Sequence, residues 1–439
     1  MVNVHFTSAT LARALIETDT AAMLYFVYAP DVIGVVVAHN LGTGEFALQL
    51  PSFGPALAPD ELAARYTPSV CARLVRLATV GGDHPQGEVA SDIEVLSVAG
   101  WTMRAAVAPR WVAGDAILCG DSAHVFPPAG GFGMNTGIQD AHALAWRLAM
   151  LERQDSGGGE LLAGYERERR QVSEENAALS LRNYRGVAEL SASLGCNPAH
   201  AELAASIAST VLPPSVFGGG LARTVVEGAV GLAAQGVLSG AALASPLALG
   251  PARVAAAARM IDSGQTLRLH FPAEDLGFCY GRAAAAAGQG GGARRDAGGY
   301  EPQTFPGARL PHFPVAKATT SGARRLSSID VVGDLARPRM TLFVPDGGAD
   351  AGAARWRAAA AGSAATVELA EVGAESWATL QGLPGAAGAD ERAGGLRALL
   401  VRPDGHIWRR WAGAGAGDGG DEPQLLAQTL ASAGTAGGG

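Results

Sequence analysis

The sequence predicts a multidomain chain of mixed α/β and α+β class, and three observations carry that expectation. Short apolar runs separated by turn residues fill the first fifty positions and give way to a helix-like stretch, the order of an α+β region. Residues 114 to 149, GDAILCGDSAHVFPPAGGFGMNTGIQDAHALAWRLA, step from an apolar strand through a glycine-rich loop into a helix. A low-complexity run from 283 to 299, AAAAAGQGGGARRDAGG, reads as a flexible linker before a last region with strand patterns of its own.

Taken in order, residues 2 to 6, 23 to 28, 32 to 39 and 45 to 50 are enriched in Val, Ile, Phe and Tyr, which pack well on a pleated surface. Pro30-Asp31 and Leu41-Gly42-Thr43-Gly44 supply the turns between them. Residues 59 to 78 predict one helix, and 89 to 107 return to strand character. A strand over 116 to 120 ends on Gly120-Asp121. From Asn135 to Leu151 the apolar positions Ile138, Ala141, Leu144, Ala145, Leu148 and Leu151 then recur at helical spacing. Residues 160 to 194 carry a further helix, whose dense charges predict a solvated face. Beyond the linker, MTLFV (340 to 344) and LRALLVRP (396 to 403) read as strands, and the chain closes in a Gly-rich tail.

Composition narrows the function classes. With 48% hydrophobic and 17% charged residues the chain can bury sizeable cores, and its net charge of -8 argues against a nucleic-acid surface. Cys71, Cys119, Cys196 and Cys279 are far apart and form no C-x-x-C, so neither a zinc cage nor a disulfide framework is expected and a reducing, cytoplasmic setting fits. The start of the chain lacks the basic-then-apolar pattern of a targeting peptide. Residues 229 to 252 are uncharged and long enough to span a bilayer, but their Ala, Gly and Ser content makes transfer weak, and a packed helical connector is expected instead.

The loop has the chemistry of a ligand cradle. A carboxylate at a strand end, Asp121, can accept hydrogen bonds from polyol hydroxyls, and a helix amino terminus presents unpaired N–H groups to negative charge. Gly130, Gly131 and Gly133 permit a flat ligand to approach the backbone closely. Such a site suits a sugar-like chain attached to a ring that becomes anionic.

This string resembles, nearly residue for residue, the second flavin-binding motif of the FAD-dependent aromatic hydroxylases, the class A flavoprotein monooxygenases with the p-hydroxybenzoate hydroxylase fold. The pattern G-D-x-A-H, three residues, P, two residues, G-x-G-x-N is met by Gly120, Asp121, Ala123, His124, Pro128, Gly131, Gly133 and Asn135, and D-A-x-x-L-A by Asp140, Ala141, Leu144 and Ala145. The resemblance implies that Gly120 and Asp121 hold the ribityl chain of FAD and that Pro128 lies by the reactive edge of the isoalloxazine. It also implies that the backbone around Gly131, Gly133, Met134 and Asn135 faces the flavin ring, with the helix terminus stabilising its reduced, anionic form. His124 is read as a structural hydrogen-bonding residue or a cofactor contact.

YERERRQVSEEN (165 to 176) resembles the segment that follows the flavin loop in this family. DLGFCYGRAA (275 to 284), YEPQTFPGARLPHFPV (300 to 315), SSIDVVGD (327 to 334) and ALLVRPDGHIWR (398 to 409) resemble the carboxyl-terminal half of its phenol hydroxylase-like branch, including a thioredoxin-like domain. Six regions follow: a substrate-domain portion at 1–110, the second half of the FAD-binding domain at 111–185, a helical connector at 186–282, the linker at 283–299, the thioredoxin-like domain at 300–430 and the tail at 431–439. With no C-x-x-C, the thioredoxin-like domain is expected to serve in packing or a homodimer contact, not in redox exchange.

The implied activity uses FAD and NAD(P)H. It hydroxylates a phenol-like aromatic substrate with O2, through a flavin C4a-hydroperoxide. The family's opening strand, G-x-G-x-x-G turn and helix have no match here, since Gly415, Gly417 and Gly420 lack the strand-to-helix context that the diphosphate turn requires. The chain is therefore expected to be an incomplete FAD-binding fold, truncated at its amino terminus. A non-catalytic remnant or interaction module is the alternative. No catalytic base is assigned, and Tyr25, Tyr28, Trp101 and Arg104 are pocket candidates at best, each better read as core or surface structure.

Overall fold

The computed structural model describes residues 1–29, 32–51, 58–79, 90–152, 158–194, 250–263, 270–281, 300–319, 322–332, 338–346, 351–362, 367–383, 395–412 and 426–427. Most of the 229 to 252 run, the 283 to 299 linker, the 415 to 420 glycine pattern, Cys196 and the tail lie outside the described residues. Two compact units partition the chain: 1–104 with 181–268, and 105–180 with 269–439.

The first unit is built on an antiparallel sheet in the order β2-β3-β4-β1-β5, with strands β1 (Val2–Thr7), β2 (Leu24–Ala29), β3 (Val32–Asn40), β4 (Glu45–Leu50) and β5 (Glu94–Gly100). Alternation sets the faces: Val2, Val4 and Phe6 pair in register with Leu50, Leu48 and Phe46, and all six are buried against the helices. The Phe6 and Phe46 rings stack 5.4 Å apart. Helix α1 (Ala9–Glu17) starts on Ser8, whose hydroxyl accepts from Leu11 N and donates to Asp92 at 2.6 Å.

The stretch expected as one helix is two, α2 (Pro59–Arg65) and α3 (Pro68–Thr79). Pro68 has no N–H to donate and disfavours helical geometry at Thr67, so the first helix stops and a second begins on the proline. The strand expected across 89 to 107 is likewise shorter, confined to β5 and the two-residue β6 (Ala106–Val107).

In the second unit, helices α4 (Phe132–Leu151) and α5 (Gly158–Ser193, of which residues to 180 belong here) accompany a four-stranded sheet. That sheet follows the short strands β7 (Val112–Ala113), β8 (Ala116–Ile117) and β9 (His124–Val125) and the antiparallel pair β10 (Pro314–Thr319) and β11 (Gly322–Ser327), and it runs β13-β12-β14-β15, with β12 (Met340–Pro345), β13 (Val367–Val372), β14 (Leu396–Val401) and β15 (Ile407–Ala412). β12 and β13 are parallel, joined by the helix Ala351–Gly362; β14 and β15 form an antiparallel hairpin. This order, 2-1-3-4 with one parallel crossover, is a thioredoxin-like arrangement.

Met340, Leu342, Val344, Ala398 and Leu400 line one face of the sheet, and Phe343, Leu399 and Val401 the other. Burial on both faces explains why β12 reads as an apolar run broken only by Thr341, itself buried. The first face shares its core with Trp146 and Met150 of α4 and Leu161 of α5, so the helix that follows the glycine loop and the C-terminal sheet are packed as one body.

Candidate functional site

The glycine loop is shaped by backbone conformations that L side chains avoid. Gly120 has φ +60° and opens a 3-10 turn over Gly120–Ser122, and the expected 116 to 120 strand stops short of it at Ile117. Only Ala116–Ile117 (β8) remains extended, paired with Val112–Ala113 (β7). Ser122 Oγ donates to Cys119 O at 2.8 Å and accepts from Cys119 N at 3.0 Å, locking the turn.

Asp121 stands exposed on that turn. The turn lies directly on α4: a Cβ added to Gly137 would sit 3.3 Å from the Gly120 Cα, so two facing glycines set the approach.

Further on, Ser180 Oγ donates to Pro127 O at 2.6 Å, holding the loop where the exposed Pro128 follows. Gly131, at φ +71°, is the N-cap of α4 and carries no side chain to satisfy the first N–H groups. A Cβ at Gly131 or Gly133 would meet nothing within 4 Å. Met134 is 74% exposed, and Asn135 Nδ2 folds back to donate to Gly131 O at 3.0 Å. The loop's floor is Phe132, buried against Leu179 and Phe271.

Beneath the turn is a buried ionic cluster. Asp140 of α4 is fully buried; one carboxylate oxygen accepts from Arg169 Nε at 2.7 Å, and the other meets His124 Nε2 at 2.7 Å and Gly120 N at 3.3 Å. His124 is therefore a structural residue of the turn, its ring stacked 4.6 Å from Phe126. Arg169 also donates to Tyr280 OH at 3.0 Å, Gln139 Oε1 at 3.2 Å and Thr136 O at 3.4 Å.

A second knot ties the C-terminal sheet to the helix pair. Glu168 accepts from Arg147 at 2.6 Å and Arg402 at 2.8 Å, and Arg402 donates to Asp404 at 2.6 Å. Burial would raise the Glu168 and Asp404 carboxyls, but the facing guanidinium of Arg402 outweighs it, and both are held below the usual carboxylate range. Tyr280 is pushed up by burial.

The expectation of a solvated charged face on the second helix is corrected here for its amino-terminal half. Glu166 accepts from Trp111 N and Val112 N, Arg169 is fully buried, and Glu168 is largely covered. Charge density alone cannot separate a solvated stripe from a buried network, because both use Arg and Glu. A signal was present: Leu161, Tyr165, Arg169, Val172 and Asn176 fall at i, i+4, i+8, i+11 and i+15, which places Arg169 on the apolar face.

Of the pocket candidates, all four lie in the first unit. Tyr25 packs against the sheet core, with its hydroxyl bonded to Thr20 O and Ala22 N. Tyr28 OH accepts from Ser191 at 3.4 Å, Trp101 pairs its backbone with Met1, and Arg104 is exposed.

Two family models match this chain: "FAD binding domain" over residues 1–180 and "Aromatic-ring hydroxylase, C-terminal" over 303–433, together more than half of it. The chain belongs to the FAD-dependent aromatic-ring hydroxylases. This hydroxylase-family chain is 44% identical over 112 residues to a 4-methyl-5-nitrocatechol 5-monooxygenase of a Burkholderia species, covering 26% of this chain and 19% of the relative. It is 37% identical over 164 residues to aklavinone 12-hydroxylase of Streptomyces peucetius, covering 34% of this chain and 32% of the relative.

Among solved structures, the flavin-dependent monooxygenase PieE in complex with FAD and substrate matches 98% of this chain and 65% of its own, with TM-score 0.65 and 23% identity. Aklavinone-11 hydroxylase with FAD and aklavinone gives TM-score 0.57 and 23% identity over 98% of this chain and 61% of its own. These likenesses establish the hydroxylase fold. The matches span about a fifth to a third of the curated relatives' length and under two thirds of the solved structures. Among the described residues no helix is long and apolar enough to cross a membrane, and no cluster of His, Cys, Asp and Glu could hold a metal ion.

Proposed function

We propose that this chain is the part of a flavin-dependent aromatic monooxygenase that holds the ribityl chain and ring of FAD, acting on a phenol or a fused-ring polyketide phenol. The observation that carries this reading is the open glycine cradle: exposed Asp121 on a turn seated on α4, and an α4 amino terminus with unfilled space at Gly131 and Gly133. Those residues fit the group. A carboxylate suits ribityl hydroxyls, and uncapped N–H groups suit an electron-rich ring edge. The names of the relatives, a nitrocatechol monooxygenase and aklavinone hydroxylases, support the substrate class.

In this reading Asp121 accepts hydrogen bonds from the ribityl chain, and the backbone at Met134 and Asn135 faces the ring, with Pro128 at its edge. Bound FAD supplies the redox chemistry between NAD(P)H and O2. The protein's share is orientation and exclusion of water. The contacts to the diphosphate, with two negative charges, come from outside these elements. Each lost charge-assisted hydrogen bond costs about 1.5–3 kcal/mol, so the residues described hold FAD weakly by themselves.

Titration of FAD into the chain, followed by flavin fluorescence, tests this. We expect weak quenching with free FAD that Asp121→Ala reduces roughly tenfold in affinity, and a colourless protein after purification. Quenching unaffected by Asp121→Ala would remove the assignment of the turn, and stoichiometric FAD retained through purification would refute the division of contacts.

A further inference from the structure

We propose that Tyr280 is a positioning residue for the flavin-site turn, acting through Arg169 and Asp140 on the backbone N–H of Gly120. That this turn serves FAD rests on the function proposed above; the mechanical coupling does not.

The chain of contacts is short and buried from Tyr280 to Asp140, and it ends on the half-buried Gly120. Tyr280 OH accepts from Arg169 Nη1 at 3.0 Å, Arg169 Nε donates to Asp140 Oδ1 at 2.7 Å, and Asp140 Oδ2 accepts from Gly120 N at 3.3 Å while holding His124 Nε2 at 2.7 Å. Asp140 divides its two oxygens: one faces the guanidinium, the other faces the turn. Rotation of the carboxylate plane therefore moves both sets of bonds together, and that plane is held by Arg169 Nε on one oxygen and His124 Nε2 on the other, each at 2.7 Å.

Arg169 is in turn held by a residue packed on several sides. The Tyr280 ring is packed 4.4 Å from His406 and 5.4 Å from Phe278, with the Arg402 guanidinium 5.0 Å above it. Its N–H donates to Gly307 O at 3.0 Å, and its own carbonyl lies so close to Gly307 that a Cβ there would come within 2.0 Å. Tyr280 is thus set by the C-terminal part of the chain, and its hydroxyl passes that placement to the turn. The end point is the amide of Gly120, the positive-φ residue that orients Asp121. An Arg169 that needed only a satisfied charge would be served by Asp140, Gln139 and the Thr136 carbonyl.

Tyr280→Phe removes the hydroxyl and keeps the ring. In the full chain, backbone amide exchange at Gly120 and through 116 to 126 is expected to rise tenfold or more, with exchange in β4 and β12 unchanged, and FAD affinity to fall roughly tenfold. Arg169→Lys, which keeps the charge but not the fork, should reproduce the local effect and serves if Tyr280→Phe fails to fold. Unchanged exchange at Gly120 would overturn the inference, as would an equal rise in β12, which marks a general structural role. A local rise in a chain whose FAD fluorescence is never quenched would uphold the coupling and reject the flavin assignment.

Discussion

Replacing Asp140 with Asn is the most demanding perturbation that the second unit offers. The carboxylate is fully buried and faces three donors, Arg169 Nε, His124 Nε2 and Gly120 N. An Asn amide keeps the volume but presents an N–H2 to one of those donors and leaves the Arg169 guanidinium without its counter-charge. Breaking a buried pair by removing one partner costs about 3–5 kcal/mol, and a unit of this size loses about 2–4 °C in melting temperature per kcal/mol. A loss of roughly 10 °C is therefore expected.

Intrinsic tryptophan fluorescence follows this unit, since six of the seven tryptophans, Trp111, Trp146, Trp356, Trp377, Trp408 and Trp411, belong to it. Arg169→Met and the double variant complete a cycle: the double should be more stable than the sum of the singles by about 2 kcal/mol or more. A loss under about 1 kcal/mol for Asp140→Asn, or additive singles, would mean that water reaches the cluster and the reasoning from burial is wrong.

Two glycines with the same backbone sign should respond differently. Gly307→Ala places a Cβ 2.0 Å from Tyr280 O and should cost about 2–4 kcal/mol in a urea melt, whereas Gly114→Ala, at φ +60° with nothing within 4 Å, should cost about 1. Leu342→Ala in the fully buried β12 should lose about 2–5 kcal/mol, read by the same melt. Burial would raise the Asp92 carboxyl, but hydrogen bonds from Ser8 and Thr10 bring it from its ordinary 3.8 to about 2. A depressed folded value contributes stability above the ordinary one, lost as pH falls through the folded one. Melting temperatures of the chain and Asp92→Asn should thus differ above pH 4 and converge toward pH 2; a gap that persists at pH 2 would contradict this.

Local pattern settled much of this chain. The strands of the first sheet announce themselves by β-branched and aromatic runs, because each signal lies within a few residues of its cause. The helix after the glycine loop forms where it was expected, but the apolar spacing misplaces its face: Ile138, Ala141, Ala145 and Leu148 are exposed, and the buried side carries Phe132, Asp140, Ala143, Trp146, Arg147 and Met150. The glycine turn and Asp121 were legible for the same reason as those strands: positive-φ positions favour glycine, as at Gly120, Gly130 and Gly131, although Asp19 and Ala90 also adopt positive φ. The break at Thr67-Pro68 was equally local, although helical periodicity outweighed it.

The tertiary structure alone decided the fate of the charges. Glu168 and Arg169 sit in a segment rich in Glu and Arg; apolar spacing places Arg169 on the buried face, but nothing adjacent tells what will meet either charge there. Their partners are 234 residues away at Arg402 and 111 residues away at Tyr280. A buried charge is tolerable only where an opposite charge and hydrogen bonds meet it. Whether they do is set by how distant elements pack, which the order of residues along a helix does not contain.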